Sequence, residues 1–380
     1  MHSIRLHLTR VELREIRLPL VEPFRISSGV VDERRVFLLR LEDASGAATW
    51  AECVAGEQPN YSPETVDTAW WAIREWLAPR LLGRDVEGPE AVHEVLGAGV
   101  VGHPMAKAAL EMGCWALAAE IARVPLATLL GGTRERVATG ISLGIQASPD
   151  ALAVRVAQAR AEGYQRVKVK IGPGADLEYL RAARDALGPA AALTVDANSA
   201  YALSDADHLA RLDDFDLAYV EQPLGQDDLV RHAELQRRLR TPICLDESIT
   251  SVDRCEDMIA LGSGRVVNVK PGRVGGFAVS RRIHDMCAMH GVPVWCGGML
   301  ESGVGRAYNV ALASLPNFAF PGDLSPSRRY WAHDVVTPEW TMDAEGWITV
   351  PRDRPGIGVE VDEGRVDELT VRVEGAGCRV

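Results

Sequence analysis

The sequence predicts an α/β fold in which a parallel barrel of strands and helices follows a smaller α+β capping domain. Two observations support this prediction. From residue 137 onward, short apolar runs recur at intervals of 23 to 28 residues with amphipathic segments between them, whereas the first 130 residues read as strands and then helices. Continuous apolar strands that alternate with helices indicate a parallel sheet that is buried on both faces.

The composition of the 380 residues excludes several classes of protein. A content of 47% hydrophobic and 25% charged residues is typical of a globular protein, and no stretch approaches ~18 uncharged apolar residues, so a membrane partner is not expected. A net charge of −12 argues against nucleic acid as a partner. None of the seven cysteines forms a C-x-x-C pair, and the charged start of the chain does not resemble a signal peptide, which together predict a cytoplasmic protein.

In the capping domain the sequence predicts a hairpin and then a helix. The apolar run Val36–Leu41 faces Ala48–Cys53 across a turn that contains Gly46. In the following helix, Ser62 is the predicted N-cap and Pro63 the first helical residue. Strands before helices in one unit are typical of an α+β domain.

The barrel is predicted from eight apolar runs: Thr139–Leu143, Val167–Ile171, Leu193–Asp196, Ala218–Glu221, Ile243–Asp246, Val266–Lys270, Val292–Trp295 and Phe318–Pro321. Ser148 and Ser204 are predicted N-caps of helices between them. Gly163 and Gly188 are predicted helix ends. Eight such units close into a barrel, whereas an open doubly wound sheet fits less well because no G-x-G-x-x-G motif follows a strand.

The period stops after residue 325, and a second alternating stretch then predicts that the chain returns to the capping domain. We therefore divide the chain into a capping domain at 1–130, a barrel at 131–325 and a C-terminal segment at 326–380.

Charged residues end five consecutive predicted strands: Lys170, Asp196, Glu221, Asp246 and Lys270. The steps between them are 26, 25, 25 and 24 residues, which places all five at the C-terminal rim, where barrel active sites lie. A solvated strand end explains one such residue but not five in phase, because charges are rarely buried unless they are paired or bound to a metal. The pattern therefore predicts an active site.

The residue types indicate which chemistry this rim performs. Asp196, Glu221 and Asp246 lie on adjacent strands ~4.8 Å apart, and such close carboxylates need a cation between them. Oxygen ligands without His or Cys favour Mg²⁺ before Mn²⁺ or Zn²⁺. The two rim lysines lie on opposite sides of the ring, which suits proton transfer on either face of a carbon next to a carboxylate. Lys168 shares the face of Lys170, and we expect burial, the cation and this like charge to lower the pKa of a lysine base.

The chain resembles the enolase superfamily in five motifs: Lys168-Val169-Lys170, Asp196-Ala197-Asn198, Glu221-Gln222-Pro223, Asp246-Glu247-Ser248 and Lys270-Pro271-Gly272. Two lysines in place of a His–Asp dyad are similar to its muconate-lactonizing-enzyme subgroup. The resemblance implies a (β/α)7β modified TIM barrel whose capping domain is completed by the C-terminal segment. It also implies that the two rim lysines are the acid/base residues and that the three carboxylates hold one Mg²⁺ (or Mn²⁺) per subunit.

Finer motifs resemble the N-succinylamino acid racemase / o-succinylbenzoate synthase family. Arg273 follows the second lysine by three residues, as in the racemase branch, where it is expected to modulate the reaction. The motifs Trp295–Gly303 and Gly322–Ser325 resemble the seventh strand and the end of the barrel in that family. Dipeptide epimerases carry a second aspartate where Ser325 stands, so they are an alternative, as are muconate-type cycloisomerases.

This resemblance implies abstraction of the proton α to a carboxylate, which gives an enediolate stabilised by Mg²⁺. The product is a racemised N-acyl (N-succinyl) amino acid, or o-succinylbenzoate for menaquinone biosynthesis, or both. It further implies a small-molecule carboxylate substrate and a homo-oligomer, an octamer. The implied substrate-binding residues are Ser142, Lys168, Asn198, Gly298, Met299, Leu300 and Tyr61.

Two questions stay open on the sequence. Ser28 stands where the family usually has an aromatic residue, so the preferred acyl group and side chain are not determined. A non-catalytic barrel is the alternative of another class, and it predicts erosion of the five rim charges, which are complete here.

Overall fold

The structure, a computed structural model, describes residues 4–26, 29–189 and 191–377. It confirms the predicted α/β fold, in which a seven-stranded parallel sheet follows an antiparallel domain. Ser28, which bears on the substrate preference, lies outside the described residues. None of the described helices combines the length and the apolar character that crossing a membrane requires.

The described N-terminal part of the capping domain contains four strands and four α-helices. The strands are β1 (Arg5–Ile26), β2 (Gly29–Asp43), β3 (Ala48–Cys53) and β4 (Asp85–Glu87). The helices are α1 (Val66–Ala72), α2 (Val92–Gly97), α3 (Pro104–Ala122) and α4 (Leu126–Leu129). The predicted hairpin is confirmed, because Phe37 of β2 pairs with Cys53 of β3. Helix α3 is buried along nearly its whole length and packs against β2 and β3.

The start of α1 differs from the prediction. The N-cap is Thr65, whose hydroxyl accepts a hydrogen bond from the backbone of Thr68, and the side chain of Thr68 completes a capping box. Ser62 and Pro63 lie in the preceding loop, where the hydroxyl of Ser62 accepts from the backbone N–H of Glu64. A local turn therefore uses the side chain that the sequence offered as a cap.

A short strand, β5 (Arg136–Ala138), precedes the parallel sheet of the barrel and lies outside it. The seven parallel strands follow the chain order: β6 (Gly140–Leu143), β7 (Arg166–Lys170), β8 (Ala192–Asp196), β9 (Val220–Glu221), β10 (Ile243–Leu245), β11 (Val266–Val269) and β12 (Val294–Cys296). The eighth predicted run forms no regular strand. Instead, the isolated parallel bridges Thr139–Gly322 and Val294–Phe318 link this run to both ends of the sheet. Pro321, which lies between them, has no N–H to donate to a regular strand ladder.

Eight helices surround these strands: α5 (Pro149–Ala161), α6 (Leu177–Leu187), α7 (Ala206–Leu209), α8 (Leu229–Arg238), α9 (Val252–Leu261), α10 (Pro271–Val274), α11 (Phe277–Met289) and α12 (Gly303–Ala313). Ser148 caps α5 as predicted, and Gly163 and Gly188 follow the ends of α5 and α6. The prediction for Ser204 is wrong. It lies within a 3₁₀ turn whose start is fixed by the carboxylate of Asp205.

The C-terminal segment returns to the capping domain as predicted. It contains β13 (Val336–Thr337), β14 (Trp347–Thr349), β15 (Glu360–Val361), α13 (Glu363–Leu369) and β16 (Thr370–Gly377). Strand β16 pairs antiparallel with β1, and β14 pairs with β5 beneath the barrel. The C-terminal segment therefore contacts both the capping domain and the barrel.

Candidate active site

The C-terminal ends of the barrel strands and the capping domain enclose one cavity. The predicted site residues in its wall are Tyr61, Ser142, Lys168, Lys170, Asp196, Asn198, Lys270, Gly298, Met299 and Leu300. The remaining predicted residues, Glu221, Asp246 and Arg273, are buried just behind this wall. The fold thus brings the whole predicted set together.

Strand register explains why these side chains meet. Lys170 pairs with Asp196, and Asp196 pairs with Glu221, so three strand ends lie at one level of the barrel. Asn198 and Leu300 follow strand ends with φ values of +42° and +55°. Such left-handed conformations cost free energy in residues other than glycine, and they are typical of functional loops.

The first rim lysine is held by two acceptors. The Nζ of Lys170 donates to Oδ2 of Asp196 at 2.6 Å and to Oδ1 of Asn198 at 2.7 Å. The backbone N–H of Asn198 in turn donates to Oδ1 of Asp196 at 2.9 Å. This network fixes the amine at the edge of the cavity.

Lys168 lies deeper, between two carboxylates. Its Nζ is 3.0 Å from Oε2 of Glu221 and 2.9 Å from Oδ2 of Asp323, and it lies over the ring of Trp295. Burial opposes the charge of this amine, but the charges of Asp323 and Glu221 outweigh burial and raise the pKa of Lys168 above its usual value. Lys168 therefore serves as a fixed positive charge beneath the cavity.

The second rim lysine meets a residue from the capping domain. The Nζ of Lys270 donates to Oδ2 of Asp246 at 2.8 Å and to the hydroxyl of Tyr61 at 3.1 Å. Burial opposes its charge, but Tyr61, Glu247 and Glu221 outweigh burial, so the pKa of Lys270 is raised. The lowered pKa that the sequence predicts for a lysine base depends on burial, a bound cation and a like charge; of these, only burial acts in this sense on Lys270 without a metal ion.

Arg273 ties this second lysine to its surroundings. Its guanidinium donates to Oδ1 of Asp246, to the hydroxyl of Tyr61 at 3.1 Å and to the backbone oxygen of Ile249 at 2.9 Å. The arginine thus fixes both partners of Lys270. A glycine is required directly after β12, because a Cβ on Gly297 would lie 2.7 Å from Cε of Lys270 and would also clash with the side chain of Asn268.

The site has side chains of the type that bind a hard cation, but in this structure they are not close enough together to coordinate one. Asp196, Glu221 and Asp246 provide only carboxylate oxygens, and Oε2 of the neighbouring Glu247 is buried with no hydrogen-bond partner among the described residues. Burial and the charge of Asp196 raise the pKa of Glu247, so the cluster carries excess negative charge that a hard cation would compensate. As the side chains stand, no three His, Cys, Asp or Glu residues in the described part converge closely enough to hold an ion.

Sequence reasoning missed residues that periodicity does not reveal. Arg166 is buried beneath the cavity and pairs with Asp323 at 2.5 Å. It lies at the start of β7, whereas the rim pattern marks only residues at strand ends. The capping domain also contributes wall residues from β2, from a loop and from the start of α3, among them Arg34, Glu64 and Met105. The sequence signal for Arg34 is weak: it lies just before the apolar run of β2, where a charged residue could face either the core or solvent.

The described geometry is suited to proton transfer. Two amines on different strands face one cavity, and each is held by an aspartate on an adjacent strand. A fixed lysine and a buried carboxylate cluster surround them. An α-carbon placed between the amines could lose a proton to one and gain a proton from the other.

Comparison with known proteins agrees with this arrangement. Residues 9–131 match the model of the mandelate racemase / muconate lactonizing enzyme N-terminal domain, and residues 151–365 match that of the enolase C-terminal domain-like family. An o-succinylbenzoate synthase from Geobacillus kaustophilus is 47% identical over 95% of each chain. An N-succinylamino acid racemase from an Amycolatopsis species is 47% identical over 96% of this chain and 97% of the relative.

Among solved structures, a member of the enolase superfamily from Listeria innocua superimposes with a TM-score of 0.95. It is 39% identical, and the match covers 98% of this chain and 100% of that structure. The similarity therefore extends over the capping domain and the barrel alike.

Proposed function

The chain belongs to the mandelate racemase / muconate lactonizing enzyme family of the enolase superfamily, and from this membership we propose that it abstracts the proton α to a carboxylate. Its relatives named o-succinylbenzoate synthase and N-succinylamino acid racemase support two outcomes for that step. The enzyme racemises N-acyl amino acids, N-succinyl derivatives above all, or dehydrates a precursor to o-succinylbenzoate, or does both.

The observation that supports this proposal best is the pair of amines at one cavity. Lys170 removes the proton from one enantiomer and Lys270 removes it from the other, so racemisation needs both. For dehydration, Lys170 serves as base and then as acid, while Lys270 remains a cation beside the enediolate. Asp196 and Asp246 orient these amines, and Tyr61 and Arg273 hold the second one.

Asp196, Glu221 and Asp246 are the proposed ligands of one divalent cation, Mg²⁺ or Mn²⁺. When bound, the cation supplies electrostatic stabilisation of negative charge on the substrate carboxylate. The unpartnered oxygen of Glu247 and the raised pKa of its carboxyl support a cation at this place. The protein's own contribution is to bury the reaction and to place Ser142, Asn198 and the 298–300 segment around the substrate.

A panel assay tests the proposal directly. The purified enzyme with Mg²⁺ is offered N-succinyl and N-acetyl amino acids, the o-succinylbenzoate precursor and dipeptides, and turnover is followed by optical rotation and absorbance. We expect turnover of the first three and its loss in EDTA, with recovery on adding Mg²⁺ or Mn²⁺. Full activity of the chelated enzyme would contradict the role given to the three carboxylates.

Dipeptides should be poor substrates. A free α-ammonium needs a carboxylate partner, but Ser325 provides none and Asp323 is already paired with Arg166 and Lys168. A higher kcat/KM on L-Ala-D-Glu than on N-succinyl amino acids would favour a dipeptide epimerase instead.

The remaining parts of the proposal concern the organisation of the protein. The division at residues 130 and 325 is proposed from the repeat pattern of the sequence, and one cation per subunit and a homo-oligomer, an octamer, are proposed from the family resemblance. A cytoplasmic location is supported by the six described cysteines, all of which are free thiols. Light scattering and metal analysis of the purified protein test the oligomer and the stoichiometry.

A further inference from the structure

A fourth cation, Arg34, lines the same cavity from the capping domain. It projects from β2 and is only 7% exposed. One guanidinium nitrogen, Nη2, donates to the backbone oxygens of Val54 at 2.8 Å and Met299 at 3.4 Å. Its Nε is buried with no hydrogen-bond partner among the described residues. The guanidinium is thus placed where the capping domain meets the barrel, with donors left over.

Arg34 differs from the three lysines in the wall of the cavity. Each lysine has a carboxylate oxygen within 3.0 Å. Within the described residues, Arg34 forms no ion pair within 4.0 Å, and burial lowers its pKa below the usual value. A buried cation without a counter-ion costs free energy, so its retention needs an explanation.

The two acids whose charges act most strongly on Arg34, Glu52 and Glu301, do not provide that counter-ion. Glu52 accepts from the hydroxyl and backbone of Ser302 and from the backbone of Gly305. Glu301 pairs with Arg306 at 2.9 Å and accepts from the backbone of Met299. Both attract Arg34 only at longer range. The missing partner must therefore enter the cavity from outside, as an anion.

We propose that Arg34 binds the terminal carboxylate of the substrate's succinyl group and so selects dicarboxylate substrates. The inference rests on the proposed function, and it deepens it. An N-succinyl amino acid and o-succinylbenzoate share this group: one carboxylate lies next to the reacting carbon, and a second lies at the end of a short apolar chain. Val54 and Met299 line the same cavity as apolar residues and suit that chain. A guanidinium binds a carboxylate through two hydrogen bonds.

Arg34→Met tests the proposal, with N-succinyl- and N-acetyl-L-phenylalanine as paired substrates. We expect kcat/KM on the succinyl substrate to fall at least ~10-fold further than on the acetyl substrate, mainly through KM. Arg35→Met is the matched control, because Arg35 is the next residue on β2 and pairs with Glu15 and Asp67 instead. It should leave the ratio of the two substrates unchanged. Equal losses on both substrates would show a merely structural role and overturn the proposal.

A substrate analogue repeats the test without a variant that could misfold. Replacing the terminal carboxylate of the succinyl group by a carboxamide preserves its size and removes its charge. Wild-type enzyme should prefer the carboxylate at least ~10-fold, and Arg34→Lys should keep part of that preference. Equal kcat/KM for carboxylate and carboxamide in the wild type would overturn the proposal.

Calorimetry separates this inference from the proposed function. N-succinylglycine has no stereocentre to invert, so its binding needs no turnover. The wild type should bind it at least ~10-fold more tightly than N-acetylglycine, and Arg34→Met should abolish the difference. If no compound of the panel is turned over but this difference is found, the proposed reaction is wrong and the anion site stands. If the panel is turned over but the two ligands bind wild-type enzyme equally, the proposed reaction stands and the role of Arg34 is wrong.

Discussion

Two regions of the molecule bury carboxylates in opposite ways. In the mouth of the barrel, defined by Asp196, Asp246 and Asp323, each carboxylate is paired with side-chain cations. At the seam between the capping domain and the barrel, defined by Glu52 and Glu111, each carboxylate accepts hydrogen bonds from backbone N–H groups. The comparison teaches that a buried acid reveals little about function until its partners are known.

The seam glutamates cap helices of another domain. Glu111 of α3 accepts from the backbone of Phe277 at 2.7 Å and of Ala278 at 2.9 Å, at the start of α11. Glu52 of β3 reaches the backbone of Ser302 and Gly305 at the start of α12. Helix N-termini attract negative charge, so these contacts join the two domains. Burial nevertheless raises the pKa of each carboxyl to about 7.

The mouth shows the opposite response. Burial disfavours the charge of Asp323, but Lys168 and Arg166 outweigh burial and hold its pKa well below the usual range. Lys170 and Lys168 lower the pKa of Asp196 in the same way. Cations therefore keep the mouth carboxylates ionised, whereas the seam carboxyls, which no cation pairs directly, are only about half ionised at pH 7.

The largest expected effect is a loss of catalysis when a lysine in the mouth of the barrel is replaced, and a substitution in the seam should not cause it. Lys170→Ala and Lys270→Ala should each lower kcat for racemisation by about 10²-fold or more, because each removes the acid/base group on one face. In D₂O, each variant should still exchange the α-proton of the enantiomer that the remaining lysine serves, with retention, as followed by NMR. Glu111→Gln is the control and should still racemise. Near wild-type racemisation by either lysine variant would contradict the two-base mechanism.

The second expected effect is on stability, which should fall more when a carboxylate is removed from the mouth than from the seam. Asp323→Asn leaves Arg166 and Lys168 without their charged partner, which should lower the free energy of unfolding by about 3 kcal/mol or more. Glu111→Gln keeps one of the two acceptor oxygens at the helix start and should cost only about 1 kcal/mol near neutral pH. Denaturant unfolding of the two variants measures both values. Equal losses would remove the distinction between cation-paired and dipole-paired carboxylates.

The seam also predicts how stability depends on pH. Each seam carboxyl has a folded-state pKa of about 7 against an ordinary value of 4.5, so the folded protein binds these protons more tightly. The resulting stabilisation is complete below pH 4.5 and is lost as the pH rises through 7, by about 3 kcal/mol per group. Asp323 acts in the opposite sense, since its contribution is lost only as the pH falls below its ordinary 3.8.

The variant that carries Glu52→Gln and Glu111→Gln checks this sign. Its free energy of unfolding should decline less between pH 5 and 8 than that of the wild type, because it lacks both titrating groups. Denaturant unfolding at several pH values gives the two slopes. If the slopes coincide, the seam carboxyls are not the groups that titrate.

The contrast between mouth and seam also explains which parts of the structure could be predicted from the sequence. The barrel and its rim were predictable because one charged residue closes each strand at a repeating interval, from Lys170 to Lys270. The seam was not, because Glu52 and Glu111 lie in an apolar strand and an apolar helix, and their partners are backbone groups 166 or more residues away. Arg34 and Arg166 were missed for a related reason. Their roles depend on which ionic partners the fold brings to them: Asp323 to Arg166, and no carboxylate within 4.0 Å of Arg34 among the described residues. The residues next to them in the sequence do not show this.

The smallest expected effect concerns Glu64, which resembles the seam glutamates but acts within the capping domain. It accepts from the backbone of Met105 at 2.7 Å and Ala106 at 3.1 Å, at the start of α3. His103, the N-cap residue, makes no capping hydrogen bond from its side chain, so Glu64 replaces it. Glu64→Gln retains an acceptor and should cost about 0.5 kcal/mol, whereas Glu64→Ala should cost about 1 kcal/mol.

The order of these two losses decides what a helix start requires of a buried acid. If an acceptor suffices, glutamine is tolerated and alanine is not, as denaturant unfolding would show. If the full negative charge is needed, glutamine costs as much as alanine. In that case Glu52 and Glu111 must also be ionised to join the domains, and the weaker dependence on pH expected for their glutamine variants would be accompanied by a lower stability at every pH.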